Sequence, residues 1–82
     1  MIKSIRSYLH ARRLAKALVE TQKNQYTNQI DAIRACNRLY RNTNEDYSVV
    51  KHQQHQLFWV VRTKLAKALA EEGHIILKAY KK

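Results

Sequence analysis

The amino-acid sequence predicts an all-α fold, a small three-helix bundle (up-down-up) with a long third helix and a short C-terminal appendage. Its 82 residues suffice for one helical domain, residues 1–82. One glycine and no proline leave few of the residues that tight turns between strands favour. Apolar residues make up 45% of the chain and recur at helical spacing, which excludes a disordered basic tail.

The first helix is predicted over about residues 2–23. Its apolar side chains fall within one broad arc, which we expect to face the core. They are Ile2, Ile5, Tyr8, Leu9, Ala15 and Val19, with Ala11, Leu14 and Leu18 extending the arc. A basic ridge on the other side of this helix consists of Lys3, Arg6, His10 and Arg13.

The second helix is predicted over about residues 28–41. Asn28 suits the N-cap, and Asp31 follows in the first turn, where a negative charge is favourable. One face carries the apolar residues that we expect to be buried, which are Ile30, Ile33, Cys36 and Tyr40. Another face carries Arg34, Arg38 and Arg41, whose spacing of four and three residues places three guanidinium groups in one row.

The third helix is predicted over about residues 44–72, after a turn at residues 42–44. Its apolar stripe is the strongest periodic signal in the chain and comprises Tyr47, Val50, Leu57, Phe58, Val61, Leu65, Ala68 and Leu69. Gly73 stands where a left-handed C-terminal cap is expected. A helix of this length would extend about 42 Å and would be longer than the first two helices. The part of its apolar stripe that they leave uncovered favours pairing with a second copy, a homodimer.

The conformation of residues 74–82 is left open by the sequence, which fits a short helix, a strand or a docked tail. Ile75, Ile76 and Leu77 are consecutive apolar residues. We expect them to be buried, either within the domain or in a partner.

The charge of the chain is strongly unbalanced, with 16 Lys and Arg against 6 Asp and Glu and a formal net charge of +10. Residues 45–73 carry four bases and four acids, so the excess lies in the first half and at the C-terminus. Rows of arginine match phosphate geometry, and neutralising phosphates releases counterions. We therefore expect a small basic, non-enzymatic accessory protein that binds nucleic acid, DNA or RNA, mainly through the phosphate backbone. The predicted contact residues are Lys3, Arg6, Arg13, Arg34, Arg38 and Arg41.

Other interpretations of the basic surface stay open. A small helical adaptor or phage-like inhibitor would use it to bind an acidic surface of a larger protein or enzyme. The predicted partner-binding residues are then Trp59, His52, Ile76 and Tyr80, because Trp and Tyr dominate interface hot spots. Trp59 lies off the apolar stripe and would be exposed unless another element, such as the C-terminal segment, covers it. Plain solvation of the cations is the remaining interpretation.

The sequence offers little for catalysis or for a cofactor. His52 and His55 are three residues apart on one predicted helix face, but zinc needs three or four ligands and no nearby residue completes the set. Cys36 lies on the inner face of the second helix and is expected to be a core residue. We expect no metal, no cofactor, no small-molecule substrate and no enzymatic activity.

Two segments resemble each other: residues 12–20 (RRLAKALVE) and residues 63–71 (TKLAKALAE), with six of nine positions identical. Leu, Ala, Lys and Glu are strong helix formers, and their frequent use in helices is enough to produce such a sequence similarity. The alternative is similar packing of the first and third helices, which run parallel in an up-down-up bundle.

The location of the protein is predicted to be cytoplasmic. The first 19 residues contain several bases, two serines and no acid, a composition also typical of mitochondrial targeting segments. A location within a virion or a host cell is the further alternative if the chain is viral. No apolar run reaches the ~18 residues of a membrane span, although the amphipathic first helix could lie on a membrane surface.

Overall fold

The computed structural model describes the backbone of residues 2–80 and the side chains of residues 8–80, and it shows an α+β fold rather than an all-α bundle. The described chain forms α1 (Ile2–Lys23), β1 (Gln25–Tyr26), α2 (Gln29–Thr43), β2 (Tyr47–Lys51), β3 (Phe58–Arg62), α3 (Thr63–Glu71) and β4 (Ile75–Tyr80). The strands pair antiparallel in the order β1-β3-β2-β4.

The two central strands are covered on both faces, and this gives the protein three layers. On one face α2 packs against the sheet around the core residues Ala32, Ala35, Cys36, Tyr47, Val49, Phe58 and Val60. On the other face α1 and α3 pack around Ala17, Val50, Trp59, Val61, Leu65, Ala66 and Leu69. The basic helices α1 and α2 therefore lie on opposite sides of the sheet.

The predicted third helix over residues 44–72 is wrong, because this segment forms a β-hairpin followed by a nine-residue helix. Its stripe matched helical spacing, but the residues between the stripe positions are buried as well: Ser48, Val49 and Val60 are each 0% exposed. Strands buried on both faces give continuous apolar runs instead of alternation. Two Val-Val pairs also favour strands, because β-branched side chains pack well on a pleated surface.

The hairpin loop between β2 and β3 forms without glycine, proline or asparagine, which is why turn composition misled the prediction. The backbone closes it with a 2.9 Å hydrogen bond from the His52 N–H to the Leu57 carbonyl. The His52 ring supplies a further acceptor for the loop, because its Nδ1 accepts hydrogen bonds from the N–H groups of Gln54 (3.0 Å) and His55 (3.1 Å). An imidazole here satisfies loop donors in the way that Asx side chains do in ordinary turns.

The first two helices match their predicted limits closely, and the cap of α2 is as expected. The Asn28 side chain accepts from the Ile30 N–H at 2.8 Å. Asn44 ends α2 in the left-handed conformation (φ 63°) and donates its N–H to the Tyr40 carbonyl. Gly73 also has positive φ (102°), but it ends a helix much shorter than predicted.

The buried face of α1 differs from the predicted one. Leu14, Ala17 and Thr21 pack inward, whereas Tyr8 is 66% and Val19 53% exposed. Small Ala17 lets α1 lie close to the sheet and α3, and no long third helix is present to cover the opposite arc. The predicted homodimer through an overlong third helix has no basis in this fold, because α3 extends only about 14 Å.

Residues 75–80 form an edge strand, β4, paired with β2. Ile75, Ile76 and Leu77 were expected to be buried, but they are 50%, 39% and 38% exposed within this chain. A register shift places Val49 opposite Lys78 and Val50 opposite Ile76, which leaves Leu77 as a bulge. A bulge and a lysine on an edge strand both discourage pairing with a further strand.

Candidate nucleic-acid interface

The candidate site is a cleft between α1 and α3 that concentrates positive charge. A cavity of about 430 Å³ has six lining residues: Arg13, Lys16, Arg62, Lys64, Leu65 and Lys67. Five of these are basic, and Leu65 is buried in the core beneath them. We call these five cations the α1–α3 cluster. They come from three separate elements, so the fold and not the local sequence brings them together.

Two ion-pair clamps hold the walls of the cleft together. At one end, Arg62 Nε donates to Glu20, at 3.0 Å from Oε1 and 3.3 Å from Oε2. At the other end His10 lies between two acids of α3, with Nδ1 2.8 Å from Glu71 Oε2 and Nε2 2.8 Å from Glu72 Oε1. These contacts show that α1 and α3 run antiparallel, with the bases of the cluster between the two clamps.

The hydrogen bond from Arg62 to Glu20 raises the pKa of the guanidinium group above its usual range, so this member of the cluster stays charged. Lys16, Lys64 and Lys67 form no ion pair within 4 Å among the described residues. Among the described residues, Glu45 and Asp46 line one adjoining cavity and Glu71 lines another, while Glu20 is bonded to Arg62. The three lysines are therefore unpaired charges of the cluster, whereas Arg62 is neutralised by Glu20.

The start of α3 adds to this positive potential. Its N-cap is Arg62, which makes no side-chain capping bond, and its first turn contains no acid. Lys64 stands in that first turn, where the helix dipole favours a negative group and disfavours a cation. This arrangement costs stability in the free protein and becomes favourable when an anion occupies the cleft.

The repeated segment in the sequence supplies both walls of the cleft. Aligning residues 12–20 with residues 63–71 places Arg13 on Lys64 and Lys16 on Lys67. In each helix the two bases occupy positions i and i+3, so they share one face. The expectation of parallel packing is wrong, because the two helices are antiparallel. The repeat was nonetheless the one signal in the sequence that pointed to Lys16, Lys64 and Lys67, which the predicted site lacked.

The structure does not bring the six predicted nucleic-acid contacts together. Arg13 belongs to the α1–α3 cluster, whereas Arg34, Arg38 and Arg41 are exposed on α2, across the sheet. The side chains of Lys3 and Arg6 lie outside the described residues. The described members of the predicted set therefore lie on two surfaces, on opposite faces of the protein.

Trp59 is buried rather than available as a partner anchor. It is 6% exposed, and its indole N–H donates to Gln25 Oε1 at 3.1 Å. The rings of His52 and His74 cover it, with centroids 5.2 and 4.9 Å away. His74 directly precedes β4, so the start of the C-terminal segment provides part of this cover.

The other predicted partner residues are placed differently. His52 is partly buried in the hairpin loop, and Ile76 stays accessible on β4. Tyr80 is half-buried and packs on Tyr40 of α2, with ring centroids 5.8 Å apart and Lys78 Nζ 5.1 Å from the Tyr80 ring. Only Ile76 of the four predicted anchors is therefore clearly exposed.

The histidines near Trp59 bond to the hairpin loop, and the single cysteine is buried. His52 and His74 use their Nδ1 atoms to accept backbone N–H groups, so both rings serve the loop. The described residues hold no group of three or more His, Cys, Asp or Glu placed to bind a metal ion. Burial raises the pKa of the Cys36 thiol to about 11, which keeps it protonated and unreactive.

The two histidine systems give opposite dependences of stability on pH. Hydrogen bonding to Glu72 raises the pKa of His10. The stability that the protonated His10 adds to the folded state is therefore fully present below pH 6.5, and it is lost as the pH rises through the folded-state pKa. Burial, together with the nearby His52, lowers the pKa of His74. The folded state then resists protonation of His74, and stability declines as the pH falls below about 6.5.

Replacing His10 by glutamine is expected to lower the free energy of unfolding at pH 5.5 and to leave it nearly unchanged at pH 8.5. The reason is that only the protonated ring forms ion pairs with Glu71 and Glu72. Urea unfolding followed by circular dichroism at both pH values measures this. An equal loss at both values would show that the His10 clamp acts through packing and not through charge.

Comparisons with protein-family models, with curated protein sequences and with solved structures find no match to this chain. Among the described residues, no helix has the length and apolar character needed to cross a membrane. A function for this chain is therefore inferred from the geometry and charge of its surfaces.

Proposed function

We propose that the protein is a small non-enzymatic nucleic-acid-binding accessory protein whose α1–α3 cluster contacts the phosphate backbone. The observation that carries the proposal is the convergence on one cleft of Arg13, Lys16, Lys64 and Lys67, which form no ion pair within 4 Å among the described residues, beside the paired Arg62. Ordinary solvated surfaces intersperse both signs of charge, and the centre of this cleft does not.

The chemistry of the cluster suits phosphate groups. Lysine ammonium groups bind phosphate as point charges, and arginine adds forked donors. The positive end of the α3 dipole points into the same region and favours anions. No aromatic residue lines the cleft, so base stacking has no platform there and contact with the backbone dominates.

The test compares two variants of equal charge on a fluorescently labelled 20-base-pair DNA duplex, by anisotropy over a range of salt concentrations. The cleft variant is Lys16→Gln, Lys64→Gln and Lys67→Gln. The control variant is Lys23→Gln, Lys51→Gln and Lys78→Gln, none of which lines the cleft. Both lose three positive charges, so a general electrostatic effect would weaken them equally.

The cleft variant is expected to reduce the slope of log affinity against log salt by about 3, since each lost phosphate contact removes about 0.9. The control variant should change the slope by less than about 1. Equal changes in the two variants, or no binding of wild type to duplex or single-stranded nucleic acid at low salt, would reject the proposal.

A second candidate function is binding to an acidic protein surface. The observation that favours it is the exposed apolar residues of β4 beside Lys78, an arrangement that a protein partner could cover. Affinity capture with and without nuclease distinguishes the two candidates. A partner retained after nuclease treatment, and lost on Ile76→Asp, would favour the protein-binding function.

A further inference from the structure

We propose that the arginine row of α2 is a second nucleic-acid site, and that one chain bridges two separate duplexes, one at the α1–α3 cluster and one at α2. This inference rests on the proposed function, because it assumes that the cleft binds nucleic acid. It goes further by assigning the protein a joining role.

The row has the chemistry of a phosphate site. Arg34, Arg38 and Arg41 are exposed, and none forms an ion pair within 4 Å among the described residues. No acidic residue occurs in the sequence between Asp31 and Glu45. At about 1.5 Å per residue the row extends about 10 Å, which spans about three phosphate spacings of one strand at about 3.4 Å each.

The helix that carries the row is held rigidly. Ala32, Ala35 and Cys36 are at most 2% exposed and fix the inner face of α2 against the sheet. The Asn28 and Asn44 caps fix both of its ends. The three arginines therefore project from a fixed frame rather than from a mobile tail, and less conformational freedom is lost on binding.

The position of the row is the reason for assigning it a separate ligand. The helix α2 packs on one face of the sheet, and α1 and α3 pack on the other. The protein measures only 42 × 30 × 18 Å, whereas duplex DNA stays stiff over about 50 nm. One duplex seated in the cleft would have to turn back sharply around the protein to reach α2, so the row remains available to a second duplex.

The test is a bridging assay. A biotinylated 30-base-pair duplex on beads is mixed with the protein and a fluorescent 30-base-pair duplex, and the captured fluorescence is measured. The test variant is Arg34→Gln, Arg38→Gln and Arg41→Gln. The control variant is Arg12→Gln, Lys23→Gln and Lys51→Gln, which loses the same charge outside both the cleft and α2. Anisotropy on a single duplex is measured in parallel.

Wild type and the control variant should capture the second duplex. The α2 variant should bind a single duplex within about threefold of wild type and lose at least tenfold in capture. Capture by the α2 variant at the wild-type level would overturn the inference, since bridging would then come from paired copies using two clefts. Binding of wild type to one duplex without capture would overturn it and leave the proposed function intact, whereas no duplex binding at all would reject both.

Discussion

Lys64→Glu is expected to weaken duplex binding about 10- to 100-fold and, at the same time, to make the folded protein more stable. The loss follows from removing a charge-assisted contact to phosphate, worth about 1.5–3 kcal/mol, and placing a like charge beside the ligand. The gain follows from the position of Lys64 in the first turn of α3, where a carboxylate interacts favourably with the helix dipole by about 0.3–1 kcal/mol.

Opposite signs in the two measurements separate function from folding. Duplex anisotropy at fixed salt gives the binding change, and urea unfolding gives the stability change. Lys23→Glu, on α1 but outside the cleft, is the control, and it should weaken binding much less. A Lys64→Glu protein that is both weaker in binding and less stable would contradict the assignment, because its defect would then be structural.

Val60→Asp is expected to abolish the folded state, whereas Val19→Asp should change the free energy of unfolding by no more than about 0.5 kcal/mol. Val60 is 0% exposed between β3 and α2, and Val19 is 53% exposed on α1. An unpaired buried carboxylate costs about 3–5 kcal/mol, which is much of the total stability of a domain of this size.

The same substitution at these two valines distinguishes the sheet from a helical bundle. The helical pattern placed Val19 in the core and left Val60 off the apolar stripe, so a bundle would give the reverse ranking. Far-ultraviolet circular dichroism and urea unfolding measure both variants. Loss of folding in Val19→Asp with a stable Val60→Asp would contradict the three-layer fold.

The sequence predicted the limits of α1 and α2 closely, although not the buried face of α1, because the signals for helix limits are local. Asn28 marks the start of α2, and the turn at residues 42–44 marks its end. The hairpin could not be found in this way, because both of its strands are buried on both faces and show no alternation. Its loop is closed by the His52 imidazole, a solution that turn-residue statistics do not include.

The candidate site was predictable only in part. The net charge of +10 predicts a polyanionic ligand, and among the predicted basic contacts Arg13 lines the cleft, although the described members of that set do not form one surface. Lys64 and Lys67 were missed because residues 45–73 sum to zero charge. In the fold Glu45, Asp46 and Glu71 of that segment line adjoining cavities, while Lys64 and Lys67 line the cleft. The sum of charges along the chain does not show that these acids and bases are separated in the folded protein.

Lysine acetylation footprinting with and without bound duplex tests most directly whether phosphate occupies the cleft. Mass spectrometry of the digested protein reports the reactivity of each lysine separately, and the arginine row of α2 is silent in this measurement. Bound duplex is expected to protect Lys16, Lys64 and Lys67 and to leave Lys23 and Lys51 reactive. Protection spread evenly over all five lysines, or greatest at Lys23 and Lys51, would contradict the proposal that the α1–α3 cluster is the binding site.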